Sequence, residues 1–426
     1  MIGVYILLVV LGLMTIGTPV TFAIASGGIV GLWLAGFGDN PVIIIQQLLT
    51  GIDKPALLAI PFFIFAGSIM TGAGLSDRIF NAAHAIVGHM RGGLAQVNVL
   101  ASFMFAGVSG SSVADIAGIG QLEVRAMTKR GYPLDFSSAL TVVTSILGPV
   151  LPPSITLIIY AWLAEVSVGR MLLAGVIPGA ILAASFMIYV AIVAIRKGYP
   201  TEARLNLRQA VMVMLDGVPA LVAPAVILAA MVFGITTITE AGILAGVYAI
   251  GLGVVYRNVD MRVLWDSLAE TVTISALVMM IIGFSQIINW TLAIEQIPQE
   301  LADLIFSHVE SKTAFLVVLI VFLLFVGCFL DVTAALILLV PLLLPMADLY
   351  GIDRIQFGMV VSLGLLIGIA TPPMGIGLYV MCGLVNVRME ALAKAILPML
   401  LPVVITLILI AFIPELSLWL PDLMMN

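Results

Sequence analysis

Gly148-Pro149-Val150-Leu151-Pro152-Pro153-Ser154 is answered, 220 residues further on, by Gly368-Ile369-Ala370-Thr371-Pro372-Pro373-Met374-Gly375. Two consecutive prolines remove two backbone donors and push the preceding residue out of α geometry, so each stretch splits the helix that carries it. The same offset relates Phe105, Gly107, Ala114, Gly131 and Pro178 to Phe325, Gly327, Ala334, Gly351 and Pro398. A single break of this kind reads as an ordinary proline kink. Two, matched in register, are the mark of the interrupted segments that hold substrate and ion in secondary transporters.

Composition places these breaks in a membrane. Of the 426 residues, 62% are hydrophobic and 9% charged, against about a quarter charged in soluble domains. The length accommodates about a dozen spans of roughly 20 residues. Apolar runs at 134–164 and 211–256 exceed one span, so they must hold two segments or a hairpin that turns inside the protein. Long continuous runs without period-2 alternation exclude a closed barrel. The expectation is an all-α polytopic membrane protein of about a dozen transmembrane segments. No basic patch interleaved with aromatics supports nucleic-acid binding. Cys328 and Cys382 lie in apolar segments and read as small packing residues. The N-terminus enters a hydrophobic stretch without a basic leader, so no cleaved signal peptide is expected.

Lys and Arg placement sets orientation. Arg196, Lys197, Arg204 and Arg208 form one basic stretch, and Arg125, Lys129 and Arg130 another, beside Glu123 and Asp135. Two apolar runs separate them, which puts both on the cytoplasmic side; Arg257 and Arg262 agree. Shifted by 220 residues, these loops become acidic, with Asp348 and Asp353, then Glu415 and Asp422. The second copy therefore reads as inserted upside down, an inverted-topology repeat. A parallel duplication with drifted charges is the alternative. The copies are assigned as residues 1–205 and 206–426, each with scaffold helices, a hairpin and a broken helix.

The hairpins are Gly107-Val108-Ser109-Gly110-Ser111-Ser112 and Gly327-Cys328-Phe329-Leu330-Asp331-Val332-Thr333. Glycines and hydroxyls at membrane depth read as re-entrant tips, since open backbone is tolerated there only inside protein or along a cavity. Their carbonyls and hydroxyls are hard oxygen ligands for a small cation, and the helix that follows offers free N–H groups to an anion. Intramembrane acids are functional candidates. Asp331 serves a cation or substrate, or else caps a helix; Asp115 reads as a cap of the hairpin's second arm. Glu165 and Glu240 fall at span ends. Gly107-Val108-Ser109-Gly110 also matches the G-x-S-G of rhomboid intramembrane proteases, but a serine nucleophile needs a base. His84, His89 and His308 all lie at the edges of spans, so protease chemistry finds no support.

The stretch from Phe105 to Asp115, Gly148–Ser154, Gly327 through Asp331 to Pro341 and Pro345, Gly351-Ile352-Asp353 and Thr371-Pro372-Pro373-Met374-Gly375 resembles the large membrane subunit of tripartite ATP-independent periplasmic (TRAP) transporters. The resemblance implies an elevator-type carrier of organic acid anions such as a C4-dicarboxylate or sialic acid, driven by co-transported Na⁺. It sits in the bacterial inner membrane with a small four-helix membrane subunit and takes substrate from a periplasmic binding protein. It implies one Na⁺ site at Ser109, Gly148, Leu151 and Pro153 and another at Gly327, Gly368, Thr371 and Met374. Substrate is expected between the tips, near Ser111, Ser112 and Asp331. The alternatives are a stand-alone Na⁺-coupled carboxylate carrier and a structural subunit whose pathway lies in another chain.

Overall fold

The computed structural model describes residues 2–201, 206–309, 311–372 and 375–425, and these form helices and turns with no strand among them. Local chemistry sets many of the helix boundaries. Ser154, Ser311 and Asp353 sit at N-caps and accept hydrogen bonds from the backbone of the following turn. Thr237 and Glu240 form a reciprocal capping box, which satisfies two otherwise orphaned donors.

Helices recur at the sequence offset. Val20–Leu34 corresponds to Ile238–Val255, and Leu75–Val87 to Ile297–His308. The first hairpin rises through Gly93–Ser109 and returns through Ser112–Asp115, the π-helical Ile116–Gly120 and Gln121–Lys129. The second rises through Lys312–Gly327 and returns through Val332–Leu349. The first broken helix runs Leu134–Thr144, Ser145–Leu147 and, after the break, Ile155–Leu163. Its counterpart runs Arg354–Leu366, Ile367–Ala370 and then Ile376–Val385. One pair differs: Pro41–Ile52 and Ala59–Gly72 are separate helices, whereas Met261–Ile294 is continuous over 34 residues. Pro55 interrupts the first copy, and Ser275 occupies its position in the second.

The long elements interlock crosswise. Ala59–Gly72 packs on Ile238–Val255, while Val20–Leu34 packs on Met261–Ile294. Small residues permit the approach: a Cβ on Gly242 would lie 2.9 Å from Phe62 Cβ, and one on Gly28 would lie 3.2 Å from Ile287. The two broken helices also meet. Tyr160, fully buried on Ile155–Leu163, lies against Gly358 and donates its hydroxyl to the Arg354 carbonyl at 2.5 Å.

Among the described residues, five helices are long and apolar enough to cross a membrane, or up to seven if each of two bent pairs is one span, beside further apolar helices of 10–17 residues. The dozen segments expected included hairpins and broken helices, and glycine and proline do divide several apolar runs into shorter pieces. Outward faces carry Leu8, Ile188, Val247, Val318 and Leu401, all exposed. Apolar cover of this extent suits lipid and not water.

A Cβ on Gly358 would lie 2.1 Å from the Tyr160 ring, whereas one on Gly12 meets nothing within 4 Å. Gly358→Val is expected to destabilise the detergent-solubilised protein by about 1–3 kcal/mol or more. Gly12→Ala should leave it unchanged or raise its stability by up to about 1 kcal/mol. Thermal melting compares the two; equal melting would contradict the helix contact at Gly358.

Candidate substrate and ion site

Each hairpin tip rests on the break of its own copy. At the first, Gly110 ends the rising arm with φ +60, a left-handed conformation that glycine adopts without strain. Ser111 is extended and caps the returning arm, its Oγ accepting from Ala114 N at 3.5 Å. A Cβ on Gly110 would lie 2.3 Å from the Pro153 carbonyl oxygen, and one on Gly148 would lie 3.1 Å from the Ser111 carbonyl carbon. Ser109, Gly148 and Pro153 are thus brought together. Leu151 lies in the same break with its side chain against Gly179 of Val176–Lys197. Ser154 Oγ donates to the Pro149 carbonyl at 2.5 Å and so closes the break on itself.

Asp115 has a different place from the cap expected of it. Its Oδ1 accepts from Ser109 Oγ, and its Oδ2 is buried without a hydrogen-bond partner beside Gly148. Ser111, not Asp115, caps the arm. The spacing Ser109–Asp115 carried a usable signal, because a six-residue hairpin tip folds the two ends of that stretch together.

The second tip makes a closer contact. A Cβ on Gly368 would lie 1.8 Å from the Gly327 carbonyl oxygen, so only glycine fits there. Thr371 follows at the end of the short Ile367–Ala370 turn, donating its hydroxyl to the Ile367 carbonyl at 2.7 Å and its amide to the Gly368 carbonyl at 3.1 Å. Gly327, Gly368 and Thr371 are therefore neighbours, and Met374 lies outside the described residues. Asp331 takes the capping alternative: its Oδ1 accepts from Thr333 N at 2.9 Å and Ala334 N at 3.4 Å. These oxygens are the donor class of alkali and other hard cations. No group of three or more acid, histidine or cysteine side chains occurs among the described residues.

A cavity of about 370 Å³ opens beside the first tip, between it and the helices Ala59–Gly72 and Met261–Ile294. Ser109 and Ser111 line it on one side and Ser68, Asp266 and Glu270 on the other, with Ser68 Oγ donating to Glu270 at 2.5 Å. Ser112 is buried behind the tip with its hydroxyl unpartnered, and Asp331 is not in the cavity lining. Sequence reasoning missed one feature. Glu123, grouped there with the charged loop, is fully buried and bonded to Asn98.

A family model described as the DctM component of the tripartite ATP-independent periplasmic transporter matches residues 7–416. The chain belongs to that family. It is 38% identical over 418 residues to the sialic acid TRAP transporter large permease protein SiaM of Vibrio cholerae, covering 98% of this chain and 97% of that one. It is 36% identical over 367 residues to the C4-dicarboxylate TRAP transporter large permease protein DctM of Pseudomonas aeruginosa, covering 86% of each. Among solved structures, the Alcanivorax borkumensis YdaH transporter shares the fold with a TM-score of 0.65 at 13% identity, over 90% of this chain and 88% of that one. The chain is accordingly a large permease component of a TRAP transporter, a multi-pass protein of the inner membrane and not an enzyme. Ser109 in the protease-like tetrapeptide is bonded to Asp115, and no histidine is among the residues lining the cavity beside it.

The capping role of Asp331 separates structure from charge. Asp331→Asn, which retains a capping oxygen, should keep the melting temperature of the DctM-family chain, whereas Asp331→Ala should cost about 1 kcal/mol. Equal loss in both would mean that the negative charge, not the cap, matters at this tip.

Proposed function

We propose that this TRAP large permease is the moving core of a Na⁺-coupled importer of an organic acid anion. The observation that carries the reading is the tip-to-break contact made twice, once through Gly110, Gly148 and Pro153 and once through Gly327 and Gly368. A backbone turn at membrane depth leaves carbonyls that only protein or a bound cation can satisfy. Na⁺ is cargo here. It would be held by Ser109, Gly148, Leu151 and Pro153 at one site and by Gly327, Gly368, Thr371 and Met374 at the other, drawing both tips onto their breaks. An anion such as sialic acid or a C4-dicarboxylate, the substrates for which relatives are named, would sit between the tips near Ser111, Ser112 and Asp331.

The two copies, 1–205 and 206–426, are assigned opposite orientations. In support, the basic loops of the first copy lie together: Tyr132, Phe136 and Tyr199 form one aromatic cluster, and Lys197 stands over the Phe136 ring. The acidic turn pairs Asp348 with Arg354, which also donates to the Ala164 carbonyl. Hairpins and broken helices move as a unit against the interlocked scaffold helices, an elevator motion. The cavity reaches Asp266, one turn from Arg262, on the side assigned to the cytoplasm, so this conformation releases substrate inward. The membrane potential contributes about 2.3 kcal/mol per net charge per 100 mV. The large-permease designation of the relatives supports a small membrane subunit as partner, and the family name a periplasmic binding protein.

Sodium titration of uptake in proteoliposomes holding this chain and its small partner tests the reading. Thr371→Ala and Gly148→Leu should each raise the Na⁺ concentration for half-maximal uptake about tenfold, the equivalent of about 1.4 kcal/mol, beyond any loss of expression. Wild-type sodium curves in both variants would refute the ion sites. Uptake without the binding protein would favour a stand-alone carrier.

A further inference from the structure

A second polar cluster is sealed behind the first tip, between the two hairpin arms and Leu134–Thr144. Asn98 Nδ2 donates to Glu123 Oε2 and to Thr141 Oγ1, both at 2.7 Å. Thr144 Oγ1 donates to Asn98 Oδ1 at 3.0 Å, and Ser102 Oγ donates to Thr144 Oγ1 at 3.2 Å. Asn98 and Glu123 are 0% exposed, and Glu123 Oε1 has no hydrogen-bond partner. The π-helical turn Ile116–Gly120 separates Asp115 from Glu123, and widened turns of this kind concentrate at functional sites. Asp115 faces Gly148 and Glu123 faces the side of Thr141. These two contacts lie two turns apart on one strip of the broken helix.

Among the described residues no counter-charge is built into this seam. Asp115, the other buried carboxyl of this arm, bonds Ser109 and brings no positive charge. Arg125 and Lys129 of the same arm are exposed. Of the elements packed on Gln121–Lys129, Gly93–Ser109 presents Asn98 and Ser102. Leu134–Thr144 carries Asp135, which bonds its own helix start, and Ile376–Val385 carries Tyr379 and Cys382. A charged carboxylate sealed from water and without a cation is costly. A cation between Glu123 and Thr141 does not resolve the cost, because Asn98 Nδ2 already donates to both oxygens there. A proton does: on Oε1 it removes the charge and turns a bare acceptor into a donor.

We propose that Glu123 is a proton-binding site: a proton from solvent adds to the Glu123 carboxylate, and the seam between the first hairpin and its broken helix closes around the neutral acid. Proton entry and exit require the arms and Leu134–Thr144 to part, so transport acquires a dependence on pH distinct from its dependence on Na⁺. Only that transport readout rests on the function proposed above.

Infrared difference spectra of the purified protein between about pH 5 and about pH 9, without substrate or a sodium gradient, test the site directly. The wild type should show the C=O band of a protonated carboxyl above the pH at which exposed acids ionise. Glu123→Gln should lack the band, and Asp115→Asn should keep it. A band that is absent, or that follows Asp115→Asn, overturns the proposal. Should Glu123→Gln not fold, Asn98→Ala, which removes the bond to Oε2 but keeps the acid, must shift the band; an unmoved band likewise overturns it. In proteoliposomes, wild-type uptake should fall about tenfold per pH unit above the midpoint while Glu123→Gln stays flat. A wild-type slope in Glu123→Gln would contradict the proton site even if sodium coupling held.

Discussion

Backbone that is neither helical nor hydrated must be satisfied by its own protein, and in this chain that constraint is met by seating each hairpin tip on a split helix. The contact leaves no space for side chains: a Cβ on Gly368 would meet the Gly327 carbonyl at 1.8 Å, and one on Gly110 would meet the Pro153 carbonyl at 2.3 Å. Glycine at these points is a condition of the fold, and proline beside them keeps the split helix from closing. The polar atoms concentrated there follow from the same geometry, since a break that cannot bond itself presents its oxygens to whatever the tip encloses.

Around these units the structure separates packing from chemistry. The long scaffold helices hold each other crosswise through glycine–side-chain contacts such as Gly242 on Phe62 and Gly28 on Ile287. The first tip faces Ala59–Gly72 and Met261–Ile294 across a cavity bordered by Ser111 and Glu270, whereas the second hairpin packs Ala334 against Ile24, Ile288 and Leu292.

Much of this was legible in the sequence because glycine and proline act locally. The repeat, the two tips, the two breaks and the helical membrane class all follow from residues whose backbone preferences hold in any context. Family membership followed from the same motifs. What escaped was pairing across the fold. Glu123 reads as a loop charge when Arg125 and Lys129 are its sequence neighbours, and only packing against Asn98 makes it a buried acid. Asp115 reads as a cap until the tip folds Ser109 onto it. The continuous Met261–Ile294 helix was legible as one apolar run, its first-copy counterpart being cut at Pro55.

The paired tip-and-break clusters are proposed Na⁺ sites, and occupancy by the ion is the property to observe. Electron cryomicroscopy of the chain with its small membrane partner, prepared in matched Na⁺ and K⁺ buffers, addresses it most directly. Density enclosed by Ser109, Gly148 and Pro153, and by Gly327, Gly368 and Thr371, is expected in Na⁺ and absent in K⁺. Tips seated identically in both buffers with neither cluster occupied would contradict it.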